Sequence, residues 1–108
     1  MNAGERRAAR HYRLRLYRVL DANARVGRYE LDLVLRRGRT IVFCEVKSKS
    51  TLRHGHPAEM VDAEKRRRIR VAASGWLRRN PAHAGLGVRY DIVAITGRRL
   101  VRLRDLDF

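Results

Sequence analysis

Three acids and a lysine fall where a β-hairpin would gather them. The stretch "RYELDLVLRR" (28–37) alternates apolar and polar side chains, "RRGR" (36–39) is a turn around Gly38, and "TIVFCEVK" (40–47) returns as an antiparallel partner. Strand side chains point alternately to opposite faces. Glu30, Asp32 and Val34 therefore share one face of the first strand, with Tyr29, Leu31, Leu33 and Leu35 on the other. In the second strand Glu45 and Lys47 point one way, and Val42, Cys44 and Val46 the other. Folding the hairpin about Gly38 sets Asp32 beside Glu45, with Glu30 and Lys47 as their same-face neighbours.

Two carboxylates about 4 Å apart repel by roughly 4 kcal/mol at an effective dielectric of 20. A lysine offsets part of that, and a hard divalent cation with oxygen ligands offsets more. Mg²⁺ takes one or two carboxylates together with substrate phosphate and water, which suits this set of residues. A metal held there polarises a phosphate and lowers the pKa of a bound water, while Lys47 orients the nucleophile or steadies developing charge. The competing reading is a cross-strand ion-pair cluster, with Lys47 between Asp32 and Glu45 serving only to satisfy charge. The hairpin by itself leaves both open.

The elements around the hairpin follow from periodicity. Ala8, Ala9, Tyr12 and Leu16 recur at helical spacing from Gly4 to about Leu16, with Glu5 in the first turn, where a negative charge suits the helix dipole. "YRVLDAN" (17–23) reads as a short strand, and "SKSTLRHGHPAEM" (48–60), with Gly55 and Pro57, as a loop. From Val61 to about Arg79 a second helix places Val61, Ile69, Ala72, Ala73, Trp76 and Leu77 on one face, and Asn80-Pro81 stops it. "LGVRYDIVAI" (86–95) and "LVRLRDL" (100–106) are strands joined by "TGRR". The order is αβββαββ. The second helix is long enough to cross over to a parallel strand, so the expected architecture is a mixed α/β sheet flanked by helices, one domain over 1–108.

Composition narrows the partner. Lys and Arg total 26 against 11 acids, a formal net charge of +15 in 108 residues, and most of the basic residues are Arg. Such a field attracts nucleic acid, and guanidinium forks match phosphate oxygens. No apolar run reaches the length of a membrane span, and "MNAGERRAAR" lacks the apolar stretch of a signal peptide. The single Cys44 excludes an internal disulfide, so the expected setting is the cytoplasm, with no membrane partner.

An acid in the second strand followed by Glu-x-Lys at the end of the third resembles the PD-(D/E)XK nuclease superfamily, of restriction-endonuclease-like fold. In order along the chain, "GERRAARHY", "LDANAR", "YELDLV", "VFCEVKSKS", "HGHPAEMV", "KRRRI" and "RYDIVAI" are similar to the YraN family of small uncharacterised bacterial proteins, regarded as nuclease-like and kin to archaeal Holliday-junction resolvases. The resemblance runs from Gly4 to Ile95. It implies a Mg²⁺- or Mn²⁺-dependent endonuclease acting on DNA, structured or branched DNA included, with Asp32 and Glu45 as metal ligands and Lys47 as the catalytic lysine. It further implies that Glu5 assists metal binding and that Glu30 belongs to the catalytic set. Two residues depart from the family: Tyr29 and Leu16 each stand where a Gly is usual. By alternation Tyr29 faces away from the acids.

Lys49, His54, Lys65, Arg66 and Arg68 are the expected nucleic-acid contacts. Lys65 lies on the apolar helical face, four residues from Val61 and from Ile69, where snorkelling at the core edge and a phosphate contact are equally open readings. His54 and His56 lack the partners of a zinc site. Asp91 pairs with an Arg or serves the family's site; Trp76, Tyr12 and Cys44 read as core. A nucleic-acid-binding module on an inactive nuclease scaffold and a basic RNA-associated protein are the alternatives. A homodimer would suit a two-strand cut.

Overall fold

A computed structural model describes residues 1–49 and 61–108, so most of the expected loop, with His54 and His56, lies outside the described residues. The elements are α1 (Ala3–Arg13), β1 (Arg18–Val26), β2 (Tyr29–Arg37), β3 (Thr40–Lys49), α2 (Ala63–Arg79), β4 (Gly87–Thr96) and β5 (Arg99–Leu103), with a 3-10 turn at Pro81–His83. The sheet order is β1-β2-β3-β4-β5. All pairs are antiparallel except β3 with β4, which α2 connects. This mixed α/β architecture in the order αβββαββ is consistent with the restriction-endonuclease-like fold expected from sequence.

Each hairpin turns on a Gly-Arg pair: Gly27-Arg28, Gly38-Arg39 and Gly97-Arg98. The glycine takes positive φ in all three, as a type II′ turn demands of its first central residue. The sheet separates two apolar clusters. Ile69, Ala72, Ala73 and Trp76 of α2 pack with Leu31, Val34, Ile41, Phe43 and Ile92. Ala8, Ala9 and Tyr12 of α1 pack with Leu33, Leu35, Val42, Cys44 and Val93. Hence Phe43 and Cys44, neighbours in β3, bury toward different helices, as strand alternation requires.

The helix ends explain their own sequences. Asn2 caps α1: its side chain accepts from the Glu5 N–H at 2.8 Å and the Glu5 carboxylate accepts from the Asn2 N–H at 2.8 Å. This capping box starts the helix one residue before the expected Gly4. At the other end Tyr17 N–H donates to Tyr12 O and Leu16 N–H to Arg13 O. That is the Schellman pattern, with the Tyr12 and Tyr17 rings in edge contact at 5.1 Å. Leu16 occupies its left-handed position at φ 69°, a backbone conformation that favours glycine. The second helix starts at Ala63, capped by Asp62, rather than at Val61, though Val61 is fully buried in the α2 cluster.

One expectation fails within the hairpin. Tyr29 and Leu31 pack on the α2 side, whereas Leu33 and Leu35 pack on the α1 side. β1 does the same, Ala22 lying against the α1 cluster and Ala24 in the α2 cluster. The two strands change face at the same level, between paired Ala22–Leu33 and Ala24–Leu31, where Asn23 has φ 50°. Asn tolerates that left-handed backbone better than most residues. Asp32 therefore stands at a local twist, and simple alternation through 29–35 does not hold.

Candidate active site

β2 and β3 are paired as far as Leu33–Cys44. One step further the Asp32 side chain takes over: its Oδ2 accepts the Val46 N–H at 2.9 Å. Glu45, on the α2 face of β3, is 5% exposed and lies near enough to Asp32 for the two charges to act on one another. Two lysines converge on Glu45 Oε1, Lys47 Nζ from the same strand at 3.7 Å and Lys65 Nζ from α2 at 3.5 Å. The hairpin thus brings Asp32, Glu45 and Lys47 together, and α2 adds Lys65.

Burial is the main force on both acids, because a desolvated carboxylate disfavours its charge. It pushes Asp32 upward, and the charge of Glu5 adds to this, while the Val46 N–H pulls it back. Glu45 is raised from 4.5 to about 7 by burial and by the neighbouring Asp32 charge, against the pull of Lys65 and Lys47. Two lysines do not fully compensate the pair. An oxygen-donor pair that resists ionisation in this way is the kind of site a hard divalent cation relieves.

Glu5 is buried and already engaged: Oε1 accepts from Asn2 and Oε2 accepts from Asn23 Nδ2 at 2.9 Å. The same Asn23 amide donates to Glu30 Oε1 at 3.2 Å. Asn23 therefore links both outer acids to the point where the strands change face. Among the described residues, no three acid, His or Cys side chains are gathered closely enough to ligate one ion; Glu5 acts on Asp32 through its charge, and Glu30 lines the cleft beside it.

A cleft of about 350 Å³ opens over this end of the sheet, lined by Asp32, Glu30, Lys65, Arg25, Arg28, Tyr29 and Arg68 among others. Tyr29 lines the same cleft as the acids, contrary to the expectation that it faces away; the change of face at Asp32 is the reason. Arg68 is at the cleft and pairs with Glu64 at 3.1 Å. Arg66 points elsewhere, donating to Val61 O and Asp107 O and covering the Phe108 ring. Lys49 ends β3.

Asp91 is the buried acid whose role the strand pattern left open. It is fully buried, takes both Arg89 nitrogens at 2.9 and 3.0 Å, and accepts from Tyr12 O–H at 2.7 Å and Asp105 N–H at 3.0 Å. It ties α1 to β4 across the sheet. Tyr12 and Cys44 are buried as expected, and Trp76 donates from the core to Asp21 at 2.9 Å. The capping box and the Lys65–Glu45 contact were not anticipated. Asn2-x-x-Glu5 was a visible signal for the first; the second needed the docking of α2.

Comparison with known proteins gives a consistent family. The model of the uncharacterised protein family UPF0102 matches residues 4–95. A UPF0102 protein of Frankia alni is 46% identical over 93 residues, covering 86% of this chain and 77% of that protein. One from Chromohalobacter salexigens is 44% identical over 93 residues, covering 86% and 74%. One from Beutenbergia cavernae is 46% identical over 92 residues, covering 85% and 77%.

Proposed function

The chain belongs to the uncharacterised protein family UPF0102, the YraN family of the sequence resemblance, and on that premise we propose that it is a metal-dependent nuclease that hydrolyses phosphodiester bonds in DNA. The observation that carries this reading is the pair of half-buried Asp32 and buried Glu45 where the ladder between β2 and β3 ends, with two lysines on Glu45 and Asp32 in the wall of an arginine-lined cleft. A surface meant only to hold phosphate gains nothing from acids that repel it. Acids that share a cation have a use there.

Asp32 and Glu45 are the residues that would hold Mg²⁺ or Mn²⁺. When bound, the ion would supply a Lewis acid for a phosphate oxygen and a water of lowered pKa. Asp32 is positioned by the Val46 N–H. Glu45 is positioned by burial and by its two ammonium neighbours, of which Lys65 also lines the cleft. Lys47 and Lys65, both at Glu45, would supply positive charge to a phosphate brought to the pair. The net charge of +15 supplies long-range attraction for the polyanion.

The test is cleavage of labelled junctions, flaps, single strands and duplexes with Mg²⁺ or Mn²⁺, comparing the parent with Asp32→Asn, Glu45→Gln and Lys47→Ala. The expected result is metal-dependent cutting lost in each variant, by about a hundredfold or more, while DNA affinity stays within a few fold. Cutting that survives all three substitutions, or a parent that cuts nothing, would overturn the proposal.

A further inference from the structure

The acid-lined cleft has a neighbour at Tyr29. A second cleft of about 430 Å³ lies on the far side, and Arg28 and Tyr29 line both. Its remaining walls are partly apolar: Val26 and Gly75, where α2 comes so close to β1 that a side-chain methyl on residue 75 would run into Val26 Cγ1, and Val71, which is 47% exposed. Arg78 and Arg79 complete it. Tyr29 stands where the two clefts meet, its ring packed against the α2 cluster.

The guanidiniums along this groove divide into two kinds. Arg67 and Arg68 pair with Glu64, and Arg79 donates to Arg25 O. The side chains of Arg25, Arg28 and Arg78 have no acid or hydrogen-bond partner among the described residues. Three uncompensated cations beside an exposed valine and a tyrosine make alternating ionic and apolar surface. A duplex offers its phosphates to such a groove but keeps its base faces stacked inside. An unpaired strand offers both phosphates and base faces.

Resting on the nuclease reading of the acid cleft, we infer that the two adjoining clefts together seat an unpaired nucleic-acid strand, with a base against Tyr29 and Val71 and its flanking phosphates on Arg28 and Arg78, the strand running on past Tyr29 toward Asp32. The substrate class of the site is then a single strand or a single-stranded tail. Tyr29 supplies the stacking surface.

Binding in EDTA tests this apart from any catalysis. Fluorescence anisotropy would compare three labelled probes of equal length on the intact parent protein: oligothymidylate, the corresponding abasic strand, and a mixed-sequence duplex. Oligothymidylate is expected to bind roughly tenfold tighter than the abasic strand. Tyr29→Ala is expected to erase most of that preference while changing duplex affinity less than about twofold, Tyr29→Phe to keep it, and Arg28→Ala to weaken all probes. Equal affinity of the parent for the thymidylate and abasic strands overturns the inference, and needs no variant to fold. So does a loss in Tyr29→Ala that is the same for strand and duplex. A base preference in a protein that cuts nothing removes the nuclease reading and leaves the strand groove standing; cutting without a base preference does the reverse.

Discussion

Glu45→Gln is expected to make the protein more stable at alkaline pH and no more stable at acid pH. In the fold the Glu45 carboxyl is raised from 4.5 to about 7. Between those values the folded state holds a proton that the unfolded chain has released. Stability therefore falls as pH rises through that window and stays low above it. At about 1.4 kcal/mol per tenfold, the full difference is about 3 kcal/mol, with the attraction of Lys47 and Lys65 already included. Glutamine keeps the size of the side chain and never ionises. At about pH 8 the variant is expected to be up to about 3 kcal/mol more stable than the parent, a rise in Tm on the order of 10 °C for a chain of this length. At about pH 4 the two are expected to coincide. Thermal and urea unfolding across this range in EDTA measure it. Adding Mg²⁺ at about pH 8 is expected to raise the parent and leave the variant unmoved, because the cation relieves the same repulsion. A variant equal to or weaker than the parent at about pH 8, or a gain independent of pH, would refute the reasoning.

Two backbone positions give opposite expectations for glycine. Leu16→Gly is expected to stabilise the protein by about 0.5–1 kcal/mol in urea unfolding, since Leu16 has φ 69° and is 83% exposed, so strain is removed and little packing is lost. Gly75→Ala is expected to destabilise it by about 1–2 kcal/mol although alanine is the better helix former, because the added methyl meets Val26, and Val26→Ala in the same chain is expected to recover part of the loss.

The element order could be read from the chain because its signals are local. Alternation marks β2 and β3, a glycine marks each two-residue turn, and Asn80-Pro81 marks the end of α2. The pairing of Asp32 with Glu45 followed from the same hairpin and needed no tertiary knowledge. What escaped was tertiary. The change of face at Asn23 and Asp32 comes from two strands twisting together, so the pattern of β2 alone put Tyr29 on the wrong side. Lys65 showed its place on a helix but not its partner, since Glu45 belongs to a different element. The strand bounds shifted for a similar reason: β1 runs on to Val26 because β2 lies beside it, not because "ARV" reads strongly as a strand.

The hydrogen bond from Val46 to Asp32 gives the sheet an ionisable rung. Past Leu33–Cys44 the main chains of β2 and β3 fork, and a carboxylate spans the gap in place of a carbonyl. Charge and scaffold at this point are the same atoms. An asparagine at position 32 keeps an acceptor for Val46 and removes only the charge. An alanine leaves that N–H without its partner, at about 1–3 kcal/mol if water does not reach it, and lets the fork drift. The carboxylate that lines the cleft is also the acceptor that joins β2 to β3, so whatever engages Asp32 also acts on the link between the two strands.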